Sequence, residues 1–329
     1  MRLASDNNRP GFGSYALKLI TNETLGAVFV VIIIVVIMIA STDSFLTVRN
    51  ITNVLRVSSF YIIVAMGAML VIIIGQLDLS VGSTMGMAGI VASLMAKDDV
   101  NTFLIFVVCT GIGVGIGSIN GLLVGYMKLP AFIVTLGMLL SVRGFVTLTT
   151  KGNPVNNLSD SFNNVGTSVF LQVPTPIYIM LIIVVIIWFL QNRTLFGRHL
   201  FAVGSNVQGA IVSGINVKRV TLYAYIICGA LAGFSGTLLT SRLMSGQVVL
   251  GEGYELLAIA GVVIGGASIA GGSGTAIGTL FGMLAICLVT NAMTLIGLNA
   301  FYQPITQGII IILAIMLDAG RQSLKNRLR

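Results

Sequence analysis

Residues 28–40 read VFVVIIIVVIMIA, an unbroken apolar run without a charge or a hydroxyl. A helix on a soluble domain keeps one polar face, and a half-buried strand alternates. This run does neither. Comparable blocks fall at about 24–40, 58–75, 83–96, 102–126, 131–148, 175–190, 220–240, 254–268, 275–297 and 303–318. A bilayer core takes about 20 such residues to cross. Charged residues make up only 9% of the chain, against about 25% in soluble domains, too few to cover a water-facing surface. A transmembrane β-barrel would alternate over strands of about ten residues, and these blocks do not. The sequence predicts an all-α, polytopic membrane protein of about ten segments. Gly-rich stretches at 75–83 and 265–274 predict breaks in it.

Lysine and arginine sort such segments by side, with the excess inside. With the N-terminus inside, that side collects Arg2, Arg9, Lys18, Lys128, Arg193, Arg198, Lys218, Arg219, Arg321, Lys325, Arg327 and Arg329. The outside receives Arg49, Arg56, Lys97, Lys151 and Arg242, while Arg143 lies within a span near its outer end, where it could snorkel to the interface. Both termini are expected in the cytoplasm, as a tail over 1–23 and a basic tail over 319–329 flanking a membrane domain at 24–318. The same bias accounts for the net charge of +8 without a nucleic-acid partner. The polar N-terminal stretch, with no small-x-small site after the first block, reads as preceding a permanent anchor rather than a cleaved signal.

Catalytic signatures are missing. There is no HExxH, no histidine cluster and no cysteine pair at metal spacing. Cys109, Cys228 and Cys287 sit inside apolar blocks and read as packing, and the single histidine, His199, reads as a surface residue. No lysine follows a glycine, so there is no P-loop, and the chain itself is expected to hold neither metal nor ATP. The glycine run at 111–125 lies inside an apolar block rather than after a strand. Small residues let membrane helices approach closely. Gly113, Gly117 and Gly121 repeat at i, i+4, i+8, as do Gly274, Gly278 and Gly282, and each row predicts a tight helix seam.

Polar groups within a membrane are costly and therefore point to function. Asp78 stands out, with Gln76, Ser80 and Ser83 around it in GQLDLSVGS (75–83). These groups can line a polar path at a helix break, and Asp78 or Ser80 can cap the next helix; the two readings are compatible. GGASIAGGS (265–273) echoes that stretch and is expected to turn on the same side of the membrane. Glu252 and Glu255 precede a block and suit a helix N-terminus. Asn120 and Gln303 can bond between helices or face a path.

The longest basic interruption is 192–219, with Arg193, Arg198, Lys218 and Arg219 and no carboxylate. Asn206 is a good N-cap, Val207, Ala210 and Ile211 fall on one face, and Gly214 is a suitable stop. A two-turn helix over 206–213 follows. It is marginal alone; it can dock in a groove on another protein or lie against lipid headgroups, and its lack of Lys and Arg favours the groove.

These stretches resemble the membrane permeases of bacterial ABC importers in the branched-chain amino acid and monosaccharide family, most of all the ribose type. The resemblance runs from about Phe45 to Asp318, through FLTVRNITNVLR (45–56), GQLDLSVGS (75–83), LPAFIVTLGMLLSVRG (129–144), TLFGRHLFAVGSNVQGAIVSGINV (194–217), GYELLAIAGVVIGGASIAGGSGT (253–275) and GLNAFYQPITQGIIIILAI (297–315). GNPVNN (152–157) and VPTPIYIM (173–180) carry the ribose-type likeness. It implies a permease subunit in the bacterial inner membrane, working with a second copy or a related permease, cytoplasmic ATPase subunits that use ATP and Mg, and a periplasmic sugar-binding protein. It places Asn206, Val207, Gln208, Gly209, Ala210, Ile211, Val212, Ser213 and Gly214 as the ATPase-coupling helix in a cytoplasmic loop, 191–219. Gln76, Asp78, Ser80, Ser83, Asn120, Glu255 and Gln303 become candidates for the path. The chain departs from the family pattern at Gln76 and Leu77, at Ser205 and Gly209, at Leu257 where the family often has aspartate, and at Gly261 where it has alanine. An ion-coupled secondary transporter is the rival reading; it needs carboxylates or histidine deep in the membrane, and Asp78 is slender support for it.

Overall fold

The computed structural model describes residues 23–299 and 301–327. The N-terminal cations Arg2, Arg9 and Lys18, and Arg329, lie outside them. The described chain is helical apart from one short hairpin. Its helices are α1 (Glu23–Ser41), α2 (Val48–Ile73), α3 (Val81–Lys97), α4 (Thr102–Gly125), α5 (Ala131–Thr150), α6 (Asp160–Thr167), α7 (Thr175–Arg193), α8 (Leu195–Ser205), α9 (Val207–Val212), α10 (Val217–Leu243), α11 (Tyr254–Ile264), α12 (Ala276–Leu295) and α13 (Tyr302–Arg327). Strands β1 (Val169–Phe170) and β2 (Val173–Pro174) pair antiparallel between α6 and α7.

Seven helices are long and apolar enough to cross a membrane: α2, α4, α5, α7, α10, α12 and the 302–320 part of α13. The other apolar blocks form α1, α3 and α11, whose apolar stretches are shorter. The chain is thus an all-α, multi-pass membrane protein. The block read as 58–75 begins ten residues earlier, at Val48, because the Thr47 hydroxyl caps the Asn50 amide and starts the helix there. The block read as 254–268 stops at Ile264, where Gly265 ends the helix. The linker before α7 holds α6 and the hairpin, neither of which the apolar pattern reveals.

Burial is inverted relative to a soluble protein. Large apolar side chains cover the outside, such as Leu148 at 73% exposure on α5 and Phe29 at 57% on α1. That belt suits lipid, where backbone groups must be satisfied within the helices. α2 runs through the middle and is buried from Ser58 to Ile73 apart from half-buried Tyr61, with α7, α10, α11 and α12 packed around it. α4 lies along α10, α11 along α12, and α1 covers the outside of α12.

Candidate functional site

The first break follows α2. Gly75 takes φ +73°, which reverses the chain. The next residues are fixed by a buried polar knot. The Asp78 carboxylate accepts from the Ser80 amide at 2.9 Å and the Ser80 hydroxyl at 2.7 Å. The Asn120 amide on α4 donates to the Ser80 hydroxyl at 2.8 Å and, at 3.5 Å, to Asp78. The Tyr225 hydroxyl on α10 donates to the Leu77 carbonyl at 3.0 Å, and the Ser83 hydroxyl donates to the Ser80 carbonyl at 2.9 Å. Asp78, Ser80, Ser83 and Asn120 are all buried within the chain, and Gln76 is half-buried at the rim of the turn. The carboxylate holds the Ser80 backbone just ahead of α3. The Ser80 side chain itself makes no cap bond.

The second break, after α11, is built from glycines with positive φ at 266, 271, 272 and 274. It lies against the first. The Gly272 amide donates to the Ile73 carbonyl at the end of α2, at 2.8 Å. A Cβ on Gly271 would stand 2.9 Å from the Gly75 nitrogen, so only glycine lets the two loops touch. The echo between the two stretches thus marks two turns on one side of the bundle, as expected.

The segment 191–214 closes over both breaks. Gln191, buried at the end of α7, donates to the Gly274 carbonyl at 2.7 Å and accepts from the Ala276 amide at 3.0 Å. It stitches the second break to the start of α12. At the end of α8, a Cβ on Gly204 would strike the Ile73 carbonyl and lie 2.6 Å from the Gly272 nitrogen. The next residue meets the same loop, since a Cβ on Gly272 would stand 2.8 Å from the Ser205 hydroxyl. Removing the stitch leaves a buried carbonyl and amide unpaired, at about 1–3 kcal/mol each. Gln191→Leu is therefore expected to lower stability by about 2 kcal/mol or more. Thermal unfolding in detergent measures it, and an unchanged midpoint would mean that the two bonds do not hold the break.

α9 follows α8 with no intervening loop. Asn206 ends one helix and caps the other, its side-chain oxygen accepting from the Gly209 amide at 2.9 Å. Gly214, at φ +78°, stops α9, and the Ile215 amide returns to the Ala210 carbonyl at 3.0 Å. The predicted cap and stop are both present. Ala210 alone turns inward, while Val207, Ile211 and Val212 are 44%, 53% and 88% exposed. Gln208, Gly209, Ser213 and Gly214 are exposed as well. The result is a short capped helix with a bare apolar face, seated through α8 on both breaks. α8 itself went unread in the sequence; the Thr194 cap and buried Leu200 and Val203 at helical spacing were its signal.

The remaining candidates make no hydrogen bond to the Asp78 knot. Glu255, half-buried in the first turn of α11, approaches α3 at Gly82, where a Cβ would fall on its carboxylate. Its Oε2 is buried with no hydrogen-bond partner among the described residues. Arg143 does not snorkel: its Nη1 donates to the Val248 and Leu250 carbonyls at 3.0 and 2.9 Å, pinning the loop before α11 to α5. Gln303, half-buried at the start of α13, takes no part in the Asp78 knot. The departing residues also find a reason. Leu257 is buried in the apolar core, and a Cβ on Gly261 would press on Met283 of α12.

Both glycine seams form. Gly113, Gly117 and Gly121 of α4 meet the α10 backbone at Gly229, Tyr225 and Leu222. Gly278 and Gly282 of α12 meet Gly265 and Gly261. Gly274 does not extend that row. It precedes α12 at φ +146° and faces Ala267 and Ile73, because the helix begins only after the Thr275 cap.

Residues 50–315 match the family described as branched-chain amino acid transport system / permease component. The chain is 38% identical over 296 residues to the ribose import permease protein RbsC of Escherichia coli K12, covering 88% of this chain and 92% of that one. It is 39% identical over 303 residues to RbsC of Bacillus subtilis 168, covering 92% and 94%. It is 36% identical over 299 residues to the D-allose transport system permease protein AlsC of E. coli K12, covering 90% and 91%. No solved structure matches. With its fold, its paired breaks and a match across most of its length, the chain belongs to the branched-chain amino acid transport system / permease component family, whose members are transport subunits rather than enzymes.

Proposed function

We propose that this chain is the transmembrane permease subunit of an ATP-binding-cassette importer in the bacterial inner membrane. It passes a monosaccharide, most readily a ribose-type pentose, from a periplasmic binding protein to the cytoplasm by ATP-driven alternating access. Relatives named for ribose and allose support that cargo class. A second copy or a related permease completes the path, and two cytoplasmic ATPase subunits bind ATP and Mg in place of this chain. Both termini face the cytoplasm, with 24–318 as the membrane domain and 191–219 as the cytoplasmic loop. Ten segments result when α1, α3 and α11 are counted with the seven long helices.

The observation that carries this reading is α9. A capped two-turn helix with Val207, Ile211 and Val212 exposed has little reason to fold unless another protein covers it. Force applied there passes through Gly204 and Ser205 to both breaks, and through Gln191 to the head of α12. The close glycine seams give the helices smooth surfaces along which to shift. Gentle detergent purification of the tagged chain from its native membrane tests the assembly. A P-loop ATPase is expected to co-purify with nucleotide hydrolysis. Recovery of the chain alone, still transporting on an ion gradient, would overturn the reading.

A further inference from the structure

A cavity of about 160 Å³ opens between α2, α11 and α12, at the end of the bundle away from the two breaks. Both long helices that line it also reach the breaks. α2 ends there at Ile73 and α12 starts there at Ala276, while the cavity takes Asn53 near the start of α2 and Thr294 near the end of α12. On α2 the lining runs from Tyr61 to Asn53, about 18 to 30 Å from Ile73 at the helical rise, so the cavity lies in the half of the bundle opposite the breaks.

The lining is divided. Asn53, Tyr61, Thr290, Asn291 and Thr294 supply amide and hydroxyl groups. The Asn53 side chain makes no hydrogen bond to another described residue, and Asn291 is held by a reciprocal amide pair with Asn50 at 2.8 and 3.1 Å. That pair leaves Asn291 one N–H and one lone pair to offer. The Tyr61 ring is fixed by stacking on Tyr254, centroids 4.0 Å apart and 10° from parallel. Val57, Leu257 and Ile286 supply the apolar part. No Lys, Arg, Asp or Glu lines the cavity. An amino acid or an ion would find no charged partner here. A neutral solute with hydroxyls along its edge and C–H groups on its faces meets both halves of the lining.

We propose that this cavity is a transient binding station for a neutral, polyhydroxylated solute of monosaccharide size, in the half of the bundle opposite the breaks. The proposal rests on the permease reading and adds the site to it. α12 then connects the station directly to the Gln191 stitch at its other end.

Cys287 lines the same cavity and reports on it, whereas Cys109 and Cys228 do not line it. The intact importer, reconstituted in liposomes, is treated with the small neutral reagent methyl methanethiosulfonate, and labelling of each cysteine is followed by peptide mass spectrometry. D-ribose, D-allose, D-galactose and leucine are added in turn. At a sugar concentration ten times its dissociation constant, labelling of Cys287 is expected to slow about tenfold for at least one sugar. Leucine should have no effect, and the other two cysteines should keep their rates. Asn53→Leu combined with Thr290→Val, which retains the volume of the lining, should abolish the protection. No protection by any sugar, protection by leucine, or a Cys287 that never reacts would each overturn the proposal. ATP-driven sugar uptake by the same vesicles is measured alongside. Uptake without protection sinks the station and leaves the permease reading standing, while absence of uptake sinks that reading.

Discussion

Gly117→Ala is expected to destabilise the protein by about 2 kcal/mol or more, whereas Gly115→Ala is expected to be neutral or slightly stabilising. The two positions share one helix and the substitution is the same single methyl, so helix propensity cancels. What differs is the far side. A Cβ at position 117 would fall on the Tyr225 carbonyl and lie 3.2 Å from the Ile226 Cα, all of it backbone that cannot rotate away. At position 115 nothing stands within 4 Å. Overpacking a tight core costs about 1–3 kcal/mol, and here the α4–α10 seam must separate along its length, because Gly113 and Gly229 press on each other one turn away. Thermal unfolding of both variants in detergent measures the contrast. Equal midpoints would mean that the seam is loose.

Ile211→Asp is expected to abolish uptake while leaving the chain folded. Ile211 is 53% exposed, and exposed substitutions usually change stability by no more than about 0.5 kcal/mol. In the proposed docking of α9 on the ATPase, the same side chain becomes a buried anchor. A carboxylate there would cost about 2 kcal/mol or more of binding, roughly thirtyfold in affinity. The expected outcome is a normal melting curve, normal membrane insertion, and ATP hydrolysis no longer coupled to transport. Full uptake by Ile211→Asp would remove α9 from the coupling role.

The sequence carried the local features and not the long-range ones. Class was legible because lipid forbids most alternatives to the helix. α9 was legible because Asn206 and Gly214 are local signals that act within one turn. The Gly113–Gly121 row was legible as a face, but not its partner on α10, since spacing tells which residues can approach and not what they approach. The stitch at Gln191 was invisible for the same reason: its partners lie more than eighty residues away. So was the meeting of Gly75 with Gly271, which follows only once α2 and α11 end at the same level. Gly274 was misplaced because a four-residue repeat continues in sequence past the point where Thr275 starts the helix. Asp78 was legible as a polar group at the break, but its partner Asn120, 42 residues along the chain, was not.

The most direct measurement of the central claim is uptake of radiolabelled D-ribose into liposomes holding the reconstituted importer, with binding protein outside and nucleotide inside. Accumulation is expected only with internal ATP and Mg, and is expected to survive collapse of every ion gradient. Accumulation driven by a sodium or proton gradient without ATP would contradict the account and return the chain to the ion-coupled class.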